Sequence, residues 1–193
     1  MPSTASPRVS SLSRQNRGPA AAADNRRALI AAAREVYAEG GLGAPFSAVA
    51  KRAGVGQGSL YRHFPDRTAL AVAVFEDNVR GLEDDTAPAD RTIDDLLDLV
   101  VEQAVVSTAF IELITADLRD PRVAGLGARF HDLVARVVER DRDAGRIGGH
   151  VETEDVTMAT GMLATELARS DPAQRPAVAA RARALFRAAF APR

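Results

Sequence analysis

Apolar residues recur every three to four positions along most of the chain beyond residue 24, which is the spacing of one face of an α-helix. No stretch reads convincingly as a strand, and no internal repeat is present. The apolar stripes are bounded by residues that begin or end helices, such as Asp24 and Asp66 as N-caps and Gly145 after a last turn. The pattern predicts an all-α protein of about nine helices.

The predicted helices fall into three regions. Residues 1–23 are rich in Ser, Pro, Ala and Arg without periodicity, which predicts a disordered basic arm. Residues 24–68 form a predicted DNA-binding domain of three helices, and residues 69–193 a larger helical domain for ligand binding and dimerisation. The predicted helices run from Asp24 to Gly40, from Phe46 to Ala53, from Gln57 to Phe64, from Asp66 toward Leu82, from Thr92 to about Ala104, from Thr108 to Leu118, from Arg122 to Ala144, from Thr153 toward Pro172, and from Pro176 toward the C-terminus.

The most distinctive segment is residues 46–70, FSAVAKRAGVGQGSLYRHFPDRTAL. Two short helices that cross steeply need a small residue where they approach, a turn residue that tolerates a positive φ, and an apolar anchor on the second helix. Ala50, Gly54 and Leu60 supply these three in order. The spacing predicts a helix-turn-helix, whose second helix can enter the major groove of DNA.

This segment, with AAREVYAEGG at residues 32–41, resembles the DNA-binding domain of the TetR family of transcriptional regulators. The resemblance covers about a quarter of the chain, and its most specific run is AGVGQGSLYRHFPDR. It implies a homodimeric repressor that binds double-stranded DNA at a palindromic operator and is released by a small-molecule ligand. The alternatives are a transcriptional activator, or a ligand-independent architectural protein whose C-terminal domain only dimerises.

The resemblance also implies which side chains lie on or beside the recognition helix, and their chemistry agrees. The Gln57 amide can read adenine, and the glycines beside it allow close approach of the backbone to DNA. Tyr61 and His63 have polar tips suited to phosphate oxygens, and Arg67 is expected near a phosphate. The predicted DNA-binding residues are Gly56, Gln57, Gly58, Ser59, Tyr61, Arg62, His63 and Arg67.

Charge is distributed unevenly along the chain. Residues 1–67 contain ten Lys or Arg and four Asp or Glu, a net charge of +6, whereas the remainder carries −7. A basic first third joined to an acidic body is typical of a polyanion-binding module attached to a domain that does not bind polyanions.

The remainder of the chain shows no catalytic constellation, so we expect no enzymatic activity and no cofactor. Cysteine is absent, and His63, His131 and His150 lack metal-ligand spacing, so no metal site is expected either. The longest apolar stretch, residues 99–118, contains acidic side chains, which favours a buried helix over a membrane span. We therefore expect a soluble, cytoplasmic protein.

A ligand pocket in a helical body needs apolar side chains with a few polar groups. The candidates are Phe110, Ile114, Phe130, His131, Val134, Met158 and Met162, and the alternative for each is an ordinary core position. Small residues beside apolar ones on the last two helices predict a two-fold interface there. These positions are Ala159, Gly161, Ala164, Ala168, Ala182, Leu185, Phe186 and Ala189.

Overall fold

Eight α-helices and no β-strand make up the part of the chain that the computed structural model describes, residues 18–106 and 119–193. The helices are α1 (Gly18–Gly40), α2 (Phe46–Ala53), α3 (Gln57–His63), α4 (Arg67–Thr86), α5 (Ile93–Val106), α6 (Pro121–Asp143), α7 (Thr153–Arg169) and α8 (Arg175–Phe190). The all-α prediction is confirmed. The helix predicted at residues 108–118 and most of the predicted basic arm lie outside the described residues. None of the described helices is long and apolar enough to cross a membrane.

Most helix ends lie where the capping residues predict them. The Asp66 carboxylate accepts a hydrogen bond of 2.6 Å from the Ala69 N–H at the start of α4. Asp120 caps α6, which has Pro121 in its first turn. Before α5, the Thr92 N–H donates to Asp95 at 2.8 Å and the Asp95 N–H donates to the Thr92 hydroxyl at 3.2 Å. These reciprocal bonds form a capping box.

The first helix begins earlier than predicted. Asp24 is not an N-cap, because α1 starts at Gly18 and Asp24 lies inside it, paired with Arg27 one turn later. The four alanines that precede Asp24 are the strongest helix formers, and Pro19 suits a first helical turn. Together they extend the helix upstream of the residue that looked like its cap.

Two hydrophobic cores lie along the chain, and α4 contributes to both. The first core contains α1, α2, α3 and the first half of α4, including Leu70 and Val74. The second contains α5 to α8 together with Leu82 from the last part of α4. The boundary between the cores therefore lies within α4, beyond Val74.

Candidate DNA-binding surface

The three residues that predicted the helix-turn-helix have the expected burial and backbone conformation in the structure. Ala50 and Leu60 are buried, and Gly54 has φ 68°, a left-handed conformation that favours glycine. The Val55 N–H donates to the Ala50 carbonyl at 3.0 Å, which folds the chain tightly around the turn. Phe64 is also buried beneath α3. The inner face of α3 is therefore fixed to the core, which leaves its outer face available.

The outer face of α3 carries most of the predicted DNA-binding residues. Gln57, Gly58, Tyr61 and Arg62 are exposed, and 52% of Tyr61 is accessible to solvent. The remaining predicted positions are divided between the start and the flank of the helix. Gly56 is the exposed N-cap of α3, whereas Ser59 and His63 are half-buried. Seven of the eight residues thus share α3 or its N-cap.

Arg67, the eighth residue, begins α4 and is half-buried. Its Nη2 donates a hydrogen bond of 3.0 Å to the carbonyl of Ala44, in the segment between α1 and α2. The guanidinium therefore supports the entry into α2. The sequence offered no signal for this bond, because the two residues lie 23 positions apart.

A shallow groove of about 230 Å³ borders the C-terminal end of α3 and includes His63. Arg26 of α1 lies in it, with its guanidinium carbon 5.0 Å from the centre of the Phe64 ring and one nitrogen 3.9 Å from Glu76. Sequence reasoning missed Arg26. The sequence did contain one signal for Arg26, because it lies four residues before Ile30 and therefore on the same side of α1.

Ion pairs reduce the positive charge of the DNA-binding domain. Arg52 donates to Glu35 at 2.8 Å and to both oxygens of Glu39 at 2.8 and 3.2 Å. The hydrogen bond from Arg52 holds the pKa of Glu39 below its usual range. Arg52 is therefore engaged with α1, whereas Lys51 and Arg62 extend from the exposed surface of the module.

The predicted ligand-binding residues do not converge on one cavity within the described part of the chain. Phe110 and Ile114 lie outside the described residues. Val134 is buried in the second core, and Phe130 packs against that core from its edge. His131 is half-buried, with Nε2 3.6 Å from a Glu154 carboxylate oxygen.

Met158 and Met162 lie on the surface of α7, where 61% and 59% of their areas are exposed. The inner face of α7 is instead formed by Val156, Leu163 and neighbouring residues at helical spacing. Met158 is two positions, or about 200°, from Val156 around the helix. The two methionines therefore belong to a second apolar face of α7, which points away from the core.

No group of three or more His, Asp or Glu side chains in residues 18–106 and 119–193 is arranged to hold a metal ion.

Residues 29–74 match the family described as bacterial regulatory proteins, tetR family. The chain therefore contains a TetR-family helix-turn-helix module. The match spans the last three turns of α1, the helix-turn-helix and the first half of α4. It contains every predicted DNA-binding residue.

TetR-family relatives resemble the chain well beyond this domain. The HTH-type transcriptional regulator UidR of Escherichia coli K12 is 27% identical over 151 residues, which cover 74% of this chain and 76% of UidR. A TetR transcription regulatory protein from Mycobacterium vanbaalenii is 27% identical with a TM-score of 0.59, covering 78% of this chain and 93% of that one. A TetR transcriptional regulator from Streptomyces coelicolor, 24% identical, has the same fold with a TM-score of 0.64 over 86% of this chain and 98% of that one.

With this module, the chain is a DNA-binding transcriptional regulator with a helix-turn-helix. The family is one of regulators rather than enzymes. In this module α3 occupies the place of the recognition helix, with Leu60 anchored inward and Gln57, Tyr61 and Arg62 outward.

Proposed function

We propose that this TetR-family chain is a homodimeric repressor that binds a two-fold symmetric operator and leaves it when a small molecule binds the helical body. The observation that carries the proposal is the outer face of α3, where polar and basic side chains are exposed on a helix whose inner face is buried. Gln57, in the first turn, is the residue proposed to read a base edge. Tyr61, Arg62 and His63 are proposed to contact phosphates, which set the position of the helix on the duplex.

An exposed apolar face on the last two helices supports the homodimer. In this proposal the face includes three exposed apolar side chains, Met158 and Met162 on α7 and Leu185 on α8, which is 54% exposed. Large apolar side chains grouped on a surface mark an interaction site, and small residues such as Gly161 beside them allow close helix approach. A second copy of the chain fits this face, because a two-fold interface places the same surface on both partners. A two-fold dimer in turn requires an operator with two related half-sites.

Release by a ligand is supported by the way α4 joins the two cores. A ligand changes DNA affinity only if it binds the DNA-competent and DNA-incompetent arrangements with different affinities. Because α4 contributes to both cores, a displacement of its last turns in the body also changes the position of α3. Phe130, His131 and Val134 remain the described candidates for ligand contact, together with Phe110 and Ile114 outside the described residues.

Selection of bound fragments from a random duplex pool tests the DNA-binding part of the proposal. We expect enrichment of one sequence with two-fold symmetry. Gln57→Ala should lower the affinity ratio between selected and scrambled duplexes by about fivefold to 100-fold at fixed salt, because one bidentate base contact is lost. The matched control is Gln174→Ala, which removes an exposed amide at the start of α8, and it should leave the ratio unchanged. A pool without any enriched sequence would overturn the proposal.

A separate measurement tests the release. Compounds that raise the melting temperature of the purified chain are added to its complex with the selected duplex, and the bound fraction is followed by fluorescence anisotropy. We expect at least one stabilising compound to dissociate the complex. If every stabilising compound leaves the affinity unchanged, release by a ligand is refuted while DNA binding stands.

A further inference from the structure

Tyr61 has an aromatic neighbour on the preceding helix of the DNA-binding domain. Its ring centre lies 5.5 Å from that of Phe46, and the two ring planes are inclined by 76°. This is the edge-to-face arrangement in which aromatic pairs attract each other beyond simple burial of area. Phe46 is the first residue of α2 and belongs to the first core, whereas Tyr61 stands on the exposed face of α3. The pair therefore joins a fixed side chain to an exposed one.

Phe46 is itself held firmly. Its side chain packs in the first core, and the ring of the preceding residue, Pro45, fixes the backbone φ there at −62°. The segment that leads into α2 is tied to α4 by the hydrogen bond from Arg67 to the Ala44 carbonyl. The ring of Phe46 thus offers Tyr61 a support whose place is set by the core and by α4.

A tyrosine on an open helix face can occupy several staggered rotamers. A side chain that is ordered only on binding loses affinity, whereas one already held in its bound orientation does not. A ring packed on one side of Tyr61 reduces the number of orientations that its hydroxyl can reach. Phe46 can therefore influence DNA binding without touching DNA.

We propose that Phe46 is a positioning residue for DNA binding, which holds the Tyr61 ring so that its hydroxyl meets a DNA phosphate. This inference rests on the proposed function, in which Tyr61 contacts the operator. The role is separate from the contribution of Phe46 to the core, because it acts only through the hydroxyl of Tyr61.

A double-mutant cycle separates positioning from a structural role. The variants Phe46→Leu, Tyr61→Phe and the double variant are titrated with the duplex selected above, at one salt concentration. We expect Phe46→Leu to weaken binding by about two- to tenfold in the presence of the Tyr61 hydroxyl, the range that an aromatic pair supplies. We expect no further loss when the same substitution is made in Tyr61→Phe, because no hydroxyl remains to be oriented.

A second buried position of α2 provides the control. Val49→Ala loosens the core beneath the same helix without removing the ring beside Tyr61, so its effect should be equal in both backgrounds. Phe46→Met replaces Phe46→Leu if thermal melting shows that the leucine variant is unfolded. Equal losses from the Phe46 substitution in both backgrounds, or no loss in either, would overturn the inference. A wild-type chain that enriches no sequence would instead overturn the proposed function.

Discussion

Asp66 lies at a junction between the DNA-binding domain and the body, and its two contacts can be separated by substitution. One oxygen accepts the 2.6 Å bond from the Ala69 N–H that caps α4. The carboxylate also lies 3.2 and 3.3 Å from Nη1 of Arg122 in the first turn of α6. Asp66→Ala removes both contacts. Asp66→Asn keeps an oxygen that can cap the helix but removes the charge that attracts Arg122.

The two contacts differ in strength. Loss of a helix cap costs about 1 kcal/mol of folding free energy. The ion pair contributes about 0.5 kcal/mol, because the side chains of Asp66 and Arg122 are 51% and 41% exposed and water screens them. Arg122 also keeps a second partner, Asp120, at 2.6 Å. We therefore expect Asp66→Ala to lower the free energy of unfolding by about 1.5 kcal/mol, and Asp66→Asn by about 0.5 kcal/mol.

Urea unfolding followed by circular dichroism at a helix band measures both values. In thermal melts, the alanine variant should unfold about 3 to 6 °C below wild type, given about 2 to 4 °C per kcal/mol for a chain of this size. Protein concentration must be equal in all samples, because the proposed dimerisation would raise apparent stability with concentration. If the asparagine variant is as unstable as the alanine variant, the cap is not the larger contribution and the reasoning is refuted.

Three further predictions follow from side-chain contacts and exposure. The hydrogen bond from the Thr92 hydroxyl, with help from the Thr92 N–H, holds the pKa of Asp95 below its usual range. The stabilisation by this carboxylate is therefore fully present above the ordinary aspartate pKa and is lost as pH falls through the lowered value. In urea melts, the stability difference between wild type and Asp95→Asn should stay constant above about pH 5 and narrow as the pH falls below about 4. Arg62→Ala should reduce the slope of log affinity against log salt concentration by about 0.9. Arg52→Ala should not change this slope, because two carboxylates of α1 hold Arg52. Equal slopes for the Arg62 and Arg52 variants would contradict this. Met158→Lys places a charge on the exposed apolar face and should give a monomer in sedimentation velocity, where a retained dimer would exclude this face as the interface.

Local signals predicted the helix-turn-helix well. The observed bounds of α2 equal the predicted ones, and α3 differs only in that Phe64 follows its last residue. The left-handed φ of Gly54 and the buried anchor Leu60 also follow from residue type and spacing alone. Such features depend on a few neighbouring residues, so a single sequence contains the information that they need.

Contacts over long distances in sequence were not predictable in the same way. The Ala44 carbonyl that receives Arg67 and the Phe46 ring beside Tyr61 belong to other elements. The two methionines of the exposed apolar face illustrate a different difficulty. Periodicity shows that α7 has apolar positions on more than one side, but it does not show which side faces the core and which is left for a partner.

The structure of α4 indicates how events in the body can reach α3 without a ligand that touches the DNA-binding domain. Arg34 of α1 donates to the Asn78 side-chain oxygen at 2.6 Å, and Gln103 of α5 donates to the Asn78 backbone carbonyl at 3.2 Å. Asn78 is buried on α4, so both hydrogen bonds lie in an environment where a polar group without a partner costs free energy. A displacement of α4 must therefore either break the hydrogen bond to Gln103 or move α5 together with α4. The hydrogen bond from Arg34 likewise couples α1 to the movement of α4. A ligand that favours one arrangement of α4 and α5 thereby also favours one orientation of the domain that carries α3.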